Sequence, residues 1–272
     1  MVDTMINYRY EFYLERVDTV ETVLLTRIRN ESDIIEDFLN HVNDFSDGII
    51  VFDDSSTDNT LDIVRNHPKV VAIVKNVSWD PHNRTKQETL HRKALNTVAN
   101  KLFSPKWIIY MDADERLEGN VRQELAFIDN KKIDYIRIPL FDAYMTKNDC
   151  KDISPGETLL NRRLYYGPER RDIIFIWSGN IDAKFIKDDA REPEFDSNNY
   201  LTLFKCQHFG KALTVERWER KCDYYIANFP EVYAKKWSER KGKAIHVESD
   251  FGTPLYRWGR DLFENAILIH PI

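Results

Sequence analysis

The chain has 272 residues, with 39 Lys and Arg against 45 Asp and Glu, and therefore a formal net charge of −6 at pH 7. That length can bury one sizeable hydrophobic core, and 42% hydrophobic with 31% charged residues is the composition of a folded globular protein. General nucleic-acid binding needs a basic surface, so we expect this mildly acidic chain to have no nucleic-acid partner.

Motifs and cysteine usage argue against several further classes of protein. The sequence contains neither GxGxxG nor GxxxxGK[ST], which disfavours a Rossmann dinucleotide site and a P-loop. Three cysteines without CxxC spacing indicate reduced thiols and not a disulfide framework or a zinc site. The first residues carry charges throughout, unlike a secretory signal, and no apolar run approaches the ~18 residues of a membrane span. These features predict a cytoplasmic protein.

Strand and helix patterns alternate through the first half of the chain. Strands are expected at residues 20–26, 49–52, 70–74 and 107–111, and helices around 34–42, 61–64 and 83–102. Asn30 or Ser32 is the predicted N-cap of the first helix, and Ser56 or Thr57 that of the second. This alternation predicts an α/β fold with a mainly parallel central sheet flanked by helices.

Polar clusters follow three of these strands, at residues 26–30, 53–58 and 112–114. Parallel sheets bind ligands at the carboxyl ends of their strands. We therefore expect the three clusters to meet at one edge of the sheet.

The second half of the chain is less regular. Strands are expected at residues 135–140 and 201–204, with a loop-rich stretch over 142–200 that is punctuated by Pro and Gly. Helices are expected at residues 214–229, 232–242 and 256–268. We predict one domain over residues 1–210 and a helical C-terminal extension over residues 211–272 that packs on it.

Paired acidic residues follow the second and fourth predicted strands. Asp112 and Asp114 lie one residue apart after WIIYM, and two carboxylates at a strand end suit a hard cation such as Mg²⁺ or Mn²⁺. The alternative is a polar turn in which Asp114 caps the next helix. Asp53 and Asp54 open the stretch DDSSTDNT, whose residue types cap helices well. One of these two carboxylates could instead accept hydrogen bonds from a base or ribose.

Three segments in this order resemble the family 2 glycosyltransferases, which have the GT-A fold. They are strands ending in TRIRNE, in VFDDSSTDNT and in MDADERL. The resemblance covers about residues 20–120 and weakens towards residue 210. It implies metal-dependent transfer of a hexosyl or deoxyhexosyl group from a nucleoside-diphosphate sugar, with UDP the commonest nucleotide. The acceptor is a hydroxyl of a glycan or another molecule, and the anomeric centre is inverted.

The resemblance also implies the residues of the site. The nucleotide-sugar-binding residues would be Thr26, Arg27, Asp53, Asp54, Arg84, Arg92, Asp112 and Asp114. Asp54 would recognise the base, and Arg92, or else Arg84, would approach the diphosphate. Mn²⁺ or Mg²⁺ would be bound by Asp112, Asp114 and His208. A solvated helix face is the alternative for the two arginines, and a hydrogen-bonded histidine is the alternative for His208.

The catalytic base implied by the resemblance is a carboxylate in the second half of the chain. Asp182 is our choice, because the segment WSGNID has the expected form, although many relatives have His-Glu where this chain has Asp182 and Ala183. Glu157, Glu169 and Asp172 are alternatives.

Two other functions compete with glycosyl transfer. Haloacid-dehalogenase-type phosphatases also place DxD after a strand, but they have Thr or Val where this chain has Arg116, and their motif comes earlier in the fold. A non-catalytic carbohydrate-binding or scaffold protein would use the tryptophans of the second half, which are Trp177, Trp218, Trp237 and Trp258. The basic stretch over residues 235–243 could contact an anionic membrane peripherally, although a solvated helix end explains it equally well.

Overall fold

The computed structural model describes residues 8–15, 17–82, 84–151, 156–188 and 191–269. They form two compact units, each assembled from separate stretches of the chain. The first unit contains Met1–Ala113, Asn120–Arg137 and Ile174–Leu201, and the second contains Asp114–Gly119, Ile138–Ile173 and Thr202–Ile272. The predicted boundary at residues 210 and 211 stays a prediction.

The elements are numbered here in chain order. The strands are β1 (Tyr8–Phe12), β2 (Val17–Ile28), β3 (Gly48–Asp53), β4 (Val70–Asn76), β5 (Phe103–Tyr110), β6 (Glu115–Glu118), β7 (Tyr135–Tyr144), β8 (Tyr165–Ser178), β9 (Tyr200–Thr202), β10 (Lys205–His208), β11 (Tyr256–Arg257) and β12 (Ile267–Leu268). The helices are α1 (Ile35–Asn43), α2 (Thr60–Arg65), α3 (Arg84–Leu102), α4 (Val121–Ala126), α5 (Leu159–Arg162), α6 (Val215–Asn228), α7 (Glu231–Arg240) and α8 (Arg260–Glu264).

The first unit contains the parallel sheet that the sequence predicts. Strands β4, β3, β2 and β5 lie side by side in this order and run parallel, with Leu25 of β2 opposite both Ile50 and Tyr110. Strand β1 adds an antiparallel edge beside β4, and the end of β8 pairs antiparallel with β5. Helices α1, α2 and α3 connect the parallel strands, as parallel pairing requires. The expected α/β fold is confirmed.

Apolar periodicity explains why these elements form. In α1, Ile35, Phe38, Leu39 and Val42 recur at helical spacing and are all buried. Every residue of β3 is buried, which is the near-continuous apolar pattern of a parallel strand covered on both faces.

The second unit differs from its sequence prediction. The stretch over residues 142–200 is not mainly loop, because β7 extends to Tyr144 and β8 covers fourteen residues. Gly167, Pro168 and four successive charged residues interrupt the apolar pattern of β8, so periodicity alone does not reveal it. Within this unit β10 pairs parallel with β7 and antiparallel with β6.

The C-terminal part is mainly helical to residue 240, and the short strands β11 and β12 and the five-residue helix α8 follow. Helices α6 and α7 confirm two of the predicted helices. The helix predicted over residues 256–268 is wrong, because β11, α8 and β12 occupy that stretch and both strands pair with β8. Gly259, at φ +137°, separates β11 from α8 with a backbone conformation that side-chain-bearing residues rarely adopt. Among the described residues, no helix has both the length and the apolar character needed to cross a membrane.

Three of the four tryptophans considered for carbohydrate binding are core residues. Trp177, Trp218 and Trp237 are at most 7% exposed. Trp218 packs against Trp237 with ring centroids 5.7 Å apart. Their rings stabilise the interior and offer no open platform on which a sugar could stack.

Candidate active site

The loops that follow β2, β3 and β5 meet at one edge of the parallel sheet in the first unit. The backbone N–H of Asp54 donates to the carbonyl of Ile28 over 2.9 Å, and that of Met111 donates to Leu25 over 3.1 Å. Strand β2 therefore lies between the loop that carries Asp54 and the loop that begins with Asp112. The expectation that these strand ends converge is confirmed for the first unit.

The loops after β2 and β3 hold each other through side-chain and backbone hydrogen bonds. The backbone N–H of Asn30 donates to Ser56 Oγ over 3.0 Å, and that of Thr57 donates to Asn30 Oδ1 over 2.7 Å. Asn30 adopts φ +53°, a left-handed conformation that Asn tolerates. The predicted helix caps are therefore wrong: the N-caps are Ile34 and Asn59, and neither makes a side-chain capping bond.

The Asp53 side chain accepts its hydrogen bonds from within its own loop. Its buried carboxylate accepts the backbone N–H of Ser56, at 3.1 Å from Oδ1. Burial raises the pKa of this carboxyl, although the bonds from Ser56 oppose the shift. Asp53 thus stabilises the turn after β3, which is the capping-type role that its sequence context suggests.

Asp54 is the centre of a buried cluster of charges. Oδ2 accepts from Arg27 Nη2 over 3.0 Å and from the Arg84 guanidinium, while Oδ1 accepts from Asn76 Nδ2 over 3.0 Å. Burial would raise the pKa of this carboxyl, but the guanidinium groups of Arg27 and Arg84 hold it well below its usual range. Three predicted nucleotide-sugar residues, Arg27, Asp54 and Arg84, are therefore in direct contact, and Arg84 is almost fully buried.

His91 belongs to the same cluster, although the sequence analysis did not select it. Its ring stacks on Phe52 with centroids 4.0 Å apart, and its Nδ1 accepts from Arg27 Nε over 3.1 Å. Burial lowers the pKa of His91 to about 3, and the charge on Arg27 contributes to this shift. His91 is consequently neutral at pH 7. One sequence signal could have identified His91: it lies seven residues after Arg84, and this spacing of two helical turns places both side chains on the same face of α3.

A chain of polar contacts connects this cluster with the first Asp of the DxD pair. Glu88 lies 3.3 Å from Arg27 Nη2 and 3.7 Å from Arg92 Nη2. Arg92 Nε donates to the Tyr110 hydroxyl over 3.1 Å, and that hydroxyl donates to Asp112 Oδ1 over 3.0 Å. Arg92 therefore binds Tyr110 and Glu88, and Asp112 is oriented by a buried tyrosine at the end of β5.

Two further residues complete this part of the first unit. The Thr26 hydroxyl is fully buried and has no hydrogen-bond partner among the described residues. Arg191, which the sequence analysis did not select, places Nε 3.6 Å from Asp112 Oδ2. Its guanidinium also lies over the rings of Tyr110 and Phe175, at 4.8 and 5.0 Å from their centroids.

Asp114 and His208 meet within the second unit. His208 Nε2 lies 3.5 Å from Asp114 Oδ2, and its Nδ1 donates to Asp142 Oδ1 over 2.6 Å. Burial would lower the pKa of His208, but the two carboxylates raise it to about 9. Gly210 keeps this contact open, because a Cβ there would come within 2.7 Å of Nε2 and 2.9 Å of Asp114 Oδ2.

Asp114 and His208 are the two residues in contact here that could hold the predicted metal ion, with ligand oxygens completing its coordination. A histidine whose second ring nitrogen is bonded to a carboxylate, here Asp142, is the usual arrangement around a bound metal. Among the described residues, no group of three or more His, Cys, Asp or Glu side chains could hold a metal. Two protein ligands are enough for Mg²⁺ or a similar ion, which retains waters and binds substrate phosphates.

Asp182 does not lie at this edge of the sheet. Strand β8 runs antiparallel to β5, and its last residue, Ser178, lies opposite Trp107, so that the chain leaves β8 towards the N-terminal end of β5. The Gly179 N–H donates to the Lys106 carbonyl over 2.9 Å. Asp182 follows three residues later, whereas Asp112 lies beyond the other end of β5, roughly 15–20 Å away at the rise of a strand. The structure therefore speaks against Asp182 as the catalytic base. The antiparallel direction of β8, which the sequence did not reveal, is the reason.

The alternative bases are all engaged within the second unit. Glu157 pairs with Arg162, Asp172 pairs with Arg170, and Glu169 accepts from Ser249 and Thr253. Glu169 is only 6% exposed. None of these contacts brings a carboxylate to Asp114 or His208.

Residues 25–136 match a family described as glycosyl transferase family 2. Two uncharacterized proteins, one of Mycobacterium bovis and one of Mycobacterium tuberculosis, are each 31% identical to this chain over 103 residues. That stretch is 36% of this chain and 24% of each relative, so the match spans about a quarter of their length.

Solved structures are more distant in sequence. Residues 1–349 of S. aureus TarS in complex with UDP share 14% identity, with 81% of this chain and 71% of that chain covered and a TM-score of 0.41. The bifunctional WbbM apo structure shares 12% identity, with 44% and 23% covered and a TM-score of 0.27. HddC from Yersinia pseudotuberculosis shares 12%, with 75% and 99% covered and a TM-score of 0.33. Such low scores say nothing about the ligands of this chain.

Proposed function

We propose that this chain, whose residues 25–136 match the family 2 glycosyltransferases, is a glycosyltransferase of the GT-A type that transfers a sugar from a nucleoside-diphosphate sugar to an acceptor hydroxyl. The observation that carries this proposal is the connected set of charges from Asp54 to Asp112 at the carboxyl edge of the parallel strands. Open α/β sheets bind ligands at this edge.

The nucleoside part of the donor is assigned to the loops after β2 and β3. Asp54 is anionic and is held by Arg27 and Arg84, so its position is fixed before the donor arrives. A base that donates a hydrogen bond would replace one of these partners, and the buried Thr26 hydroxyl supplies a further polar contact. UDP is the nucleotide that the family resemblance favours.

The diphosphate is assigned to the DxD stretch and its cations. Asp112 is oriented by Tyr110, and Arg191 beside it supplies a cation for a phosphate oxygen. Asp114 and His208 would hold Mn²⁺ or Mg²⁺, with Asp142 fixing the imidazole. When bound, such an ion neutralises the negative charge of the departing nucleoside diphosphate.

Inversion at the anomeric carbon remains part of the proposal because the family resemblance implies it. A single displacement with inversion requires a base that takes the proton of the acceptor hydroxyl. We assign this role to no residue, since the nearest carboxylate to His208 in the second unit, Asp142, is already bonded to three cationic groups.

A binding experiment tests the donor assignment. We expect UDP, GDP or dTDP to raise the melting temperature of the protein, with a larger shift when Mn²⁺ is present, because a ligand of the native state stabilises it by mass action. Asp114→Asn should abolish the Mn²⁺-dependent part of the shift. Asp62→Asn, on exposed α2, is the matched control and should behave as wild type. A chain that binds no nucleoside diphosphate under either condition would contradict the proposal.

Turnover distinguishes the competing functions. Metal-dependent release of nucleoside diphosphate from a nucleotide-sugar supports a transferase, since slow transfer to water needs no acceptor. Cleavage of phosphate esters without release of sugar would indicate a phosphatase. Donor binding with neither reaction would indicate a binding or scaffold protein.

A further inference from the structure

Four basic side chains of the second unit form a cluster next to His208 that the proposed donor site does not use. They are Arg171 of β8, Lys211 in the turn after β10, and Lys236 and Arg240 of α7. We name this group the cationic cluster. Two carboxylates, Asp142 and Asp250, form ion pairs with three of its members, which are Arg171, Lys211 and Arg240.

Asp142 joins the cluster to His208. Its Oδ1 accepts from His208 Nδ1 over 2.6 Å and from Arg171 Nη2 over 2.7 Å, and its Oδ2 accepts from Lys211 Nζ over 2.8 Å. The carboxylate therefore binds three cationic groups at once. Its direct pairing with the imidazole places the cluster a few ångströms behind the proposed metal ligand.

Asp250 joins the two halves of the cluster. Lys211 Nζ lies 2.6 Å from Asp250 Oδ2, and Arg240 Nη2 donates to the same oxygen over 2.5 Å. Lys211 Nζ also donates to the Tyr144 hydroxyl over 3.1 Å. These contacts fix the direction of both basic side chains without a bound ligand.

Positive charge exceeds negative charge in this region. Arg171, Lys211 and Arg240 pair with two carboxylates, and their side chains keep 30%, 13% and 20% of their surface exposed. Lys236 is exposed, and burial together with Arg240 lowers the pKa of its ammonium group, with Lys211 and Arg171 contributing and Asp250 opposing. A small anion at this surface would be attracted by all four groups.

The geometry of His208 separates this cluster from the donor diphosphate. Nε2 faces Asp114, where the metal and diphosphate are assigned, whereas Nδ1 faces Asp142 and the cluster. The two ring nitrogens point away from each other. A diphosphate on the Nε2 side leaves the cluster available for a second anion.

We propose that the cationic cluster binds an anionic group, a phosphate or a carboxylate, carried by the acceptor. This inference rests on the proposed glycosyl transfer, because only a transferase has an acceptor to place beside the donor. Arginine and lysine are the residues that recognise such groups through charge-assisted hydrogen bonds. The preferred acceptor is therefore a molecule that carries a phosphate or a carboxylate, and not a neutral glycan.

Titration with small anions tests the inference. The probes are inorganic phosphate and glycerol 3-phosphate, added to the full chain and followed by calorimetry or NMR. We expect saturable binding that weakens roughly tenfold in Lys236→Gln and in Arg240→Gln, the loss expected for one charge-assisted hydrogen bond. Lys235→Gln is the matched control, since it removes an exposed lysine from the same helix, and it should bind as wild type.

A parallel titration with UDP and Mn²⁺ separates this inference from the proposed function. UDP binding should be unchanged in all three variants. If Lys236→Gln weakens UDP binding as much as phosphate binding, the cluster belongs to the donor site and the inference is overturned. The inference is also overturned if the wild type binds no phosphate. A wild type that fails to bind UDP would instead reject the proposed function, whatever the result with phosphate.

A vesicle-binding experiment distinguishes an anionic acceptor from the headgroup of a membrane lipid. Vesicles of phosphatidylglycerol in phosphatidylcholine are sedimented with the wild type and with the same variants. One outcome overturns the acceptor assignment: the protein binds the vesicles but not the soluble phosphates, and Lys235→Gln and Lys236→Gln weaken vesicle binding equally. The region would then be a membrane-binding surface.

Discussion

At the scale of single residues, the pair Asp53 and Asp54 illustrates how position decides the state of a carboxyl group. Both are fully buried neighbours at the end of β3. Burial raises the pKa of Asp53, whose partners are neutral groups of Ser56. Two guanidinium groups outweigh burial at Asp54 and hold its pKa low. Asp54 is therefore the carboxylate whose negative charge is stabilised by its partners, and a binding site can be organised around it.

Removing one of these guanidinium groups should be costly for stability. Arg84→Gln removes one of the two arginines that pair with the buried Asp54 carboxylate and leaves its pair with Arg27. We expect the free energy of unfolding to fall by about 3 kcal/mol, the low end for breaking a buried pair. Urea unfolding at pH 7 measures this loss. Arg65→Gln, which breaks the half-exposed pair with Glu11, should lose at most about 1 kcal/mol. Equal losses in the two variants would contradict the importance of the buried pair.

The Tyr110 hydroxyl should matter more for donor binding than for packing. Tyr110→Phe keeps the buried ring but removes the group that joins Arg92 to Asp112. We expect UDP affinity in the presence of Mn²⁺ to fall roughly tenfold, because Asp112 loses the bond that orients it. Tyr135→Phe, at another buried tyrosine of the same unit, is the control and should retain wild-type affinity. Unchanged affinity in Tyr110→Phe would show that this chain of contacts does not prepare the site.

At the scale of elements, strand direction decides which residues can share a site. The parallel strands β2, β3 and β5 bring their C-terminal loops together, so a sequence pattern of strand followed by polar cluster was sufficient to find Asp54 and Asp112. Strand β8 runs the other way and carries charged residues in its first half. A pattern search therefore misreads both the strand and the residues that follow it.

The direction of β8 leads to a prediction for Asp182. Because Asp182 lies beyond the opposite end of β5 from Asp112, Asp182→Asn should retain sugar transfer and donor hydrolysis close to wild-type rates. Asp114→Asn, tested in the same assay, should lose the metal-dependent rate. Loss of transfer in Asp182→Asn with intact donor binding would restore this residue as the base.

At the scale of the whole molecule, the sequence is most informative where structure is local and apolar. Buried runs such as β3 and amphipathic helices such as α1 follow from periodicity, and the helix predicted over residues 83–102 is confirmed as α3. The caps, β8 and the stretch after α7 depend on partners that are distant in sequence. The same holds for His91 and Arg191, whose roles depend on contacts with Arg27 and Asp112. Periodicity contains no information about such contacts.

The pH dependence of the free energy of unfolding tests the pKa shifts of Asp53 and Asp54 in one experiment. The low pKa of Asp54 in the folded protein contributes stability above the unfolded-state pKa of about 4, and this contribution is lost as the pH falls below it. The raised pKa of Asp53 has the opposite sign, because the folded protein keeps this proton at a pH where the unfolded chain releases it. Asp54→Asn should therefore flatten the loss of unfolding free energy between pH 5 and pH 3, by up to about 1.4 kcal/mol per pH unit. Asp53→Asn should make this loss steeper, and parallel curves for the two variants would refute the opposite pKa shifts of the two groups.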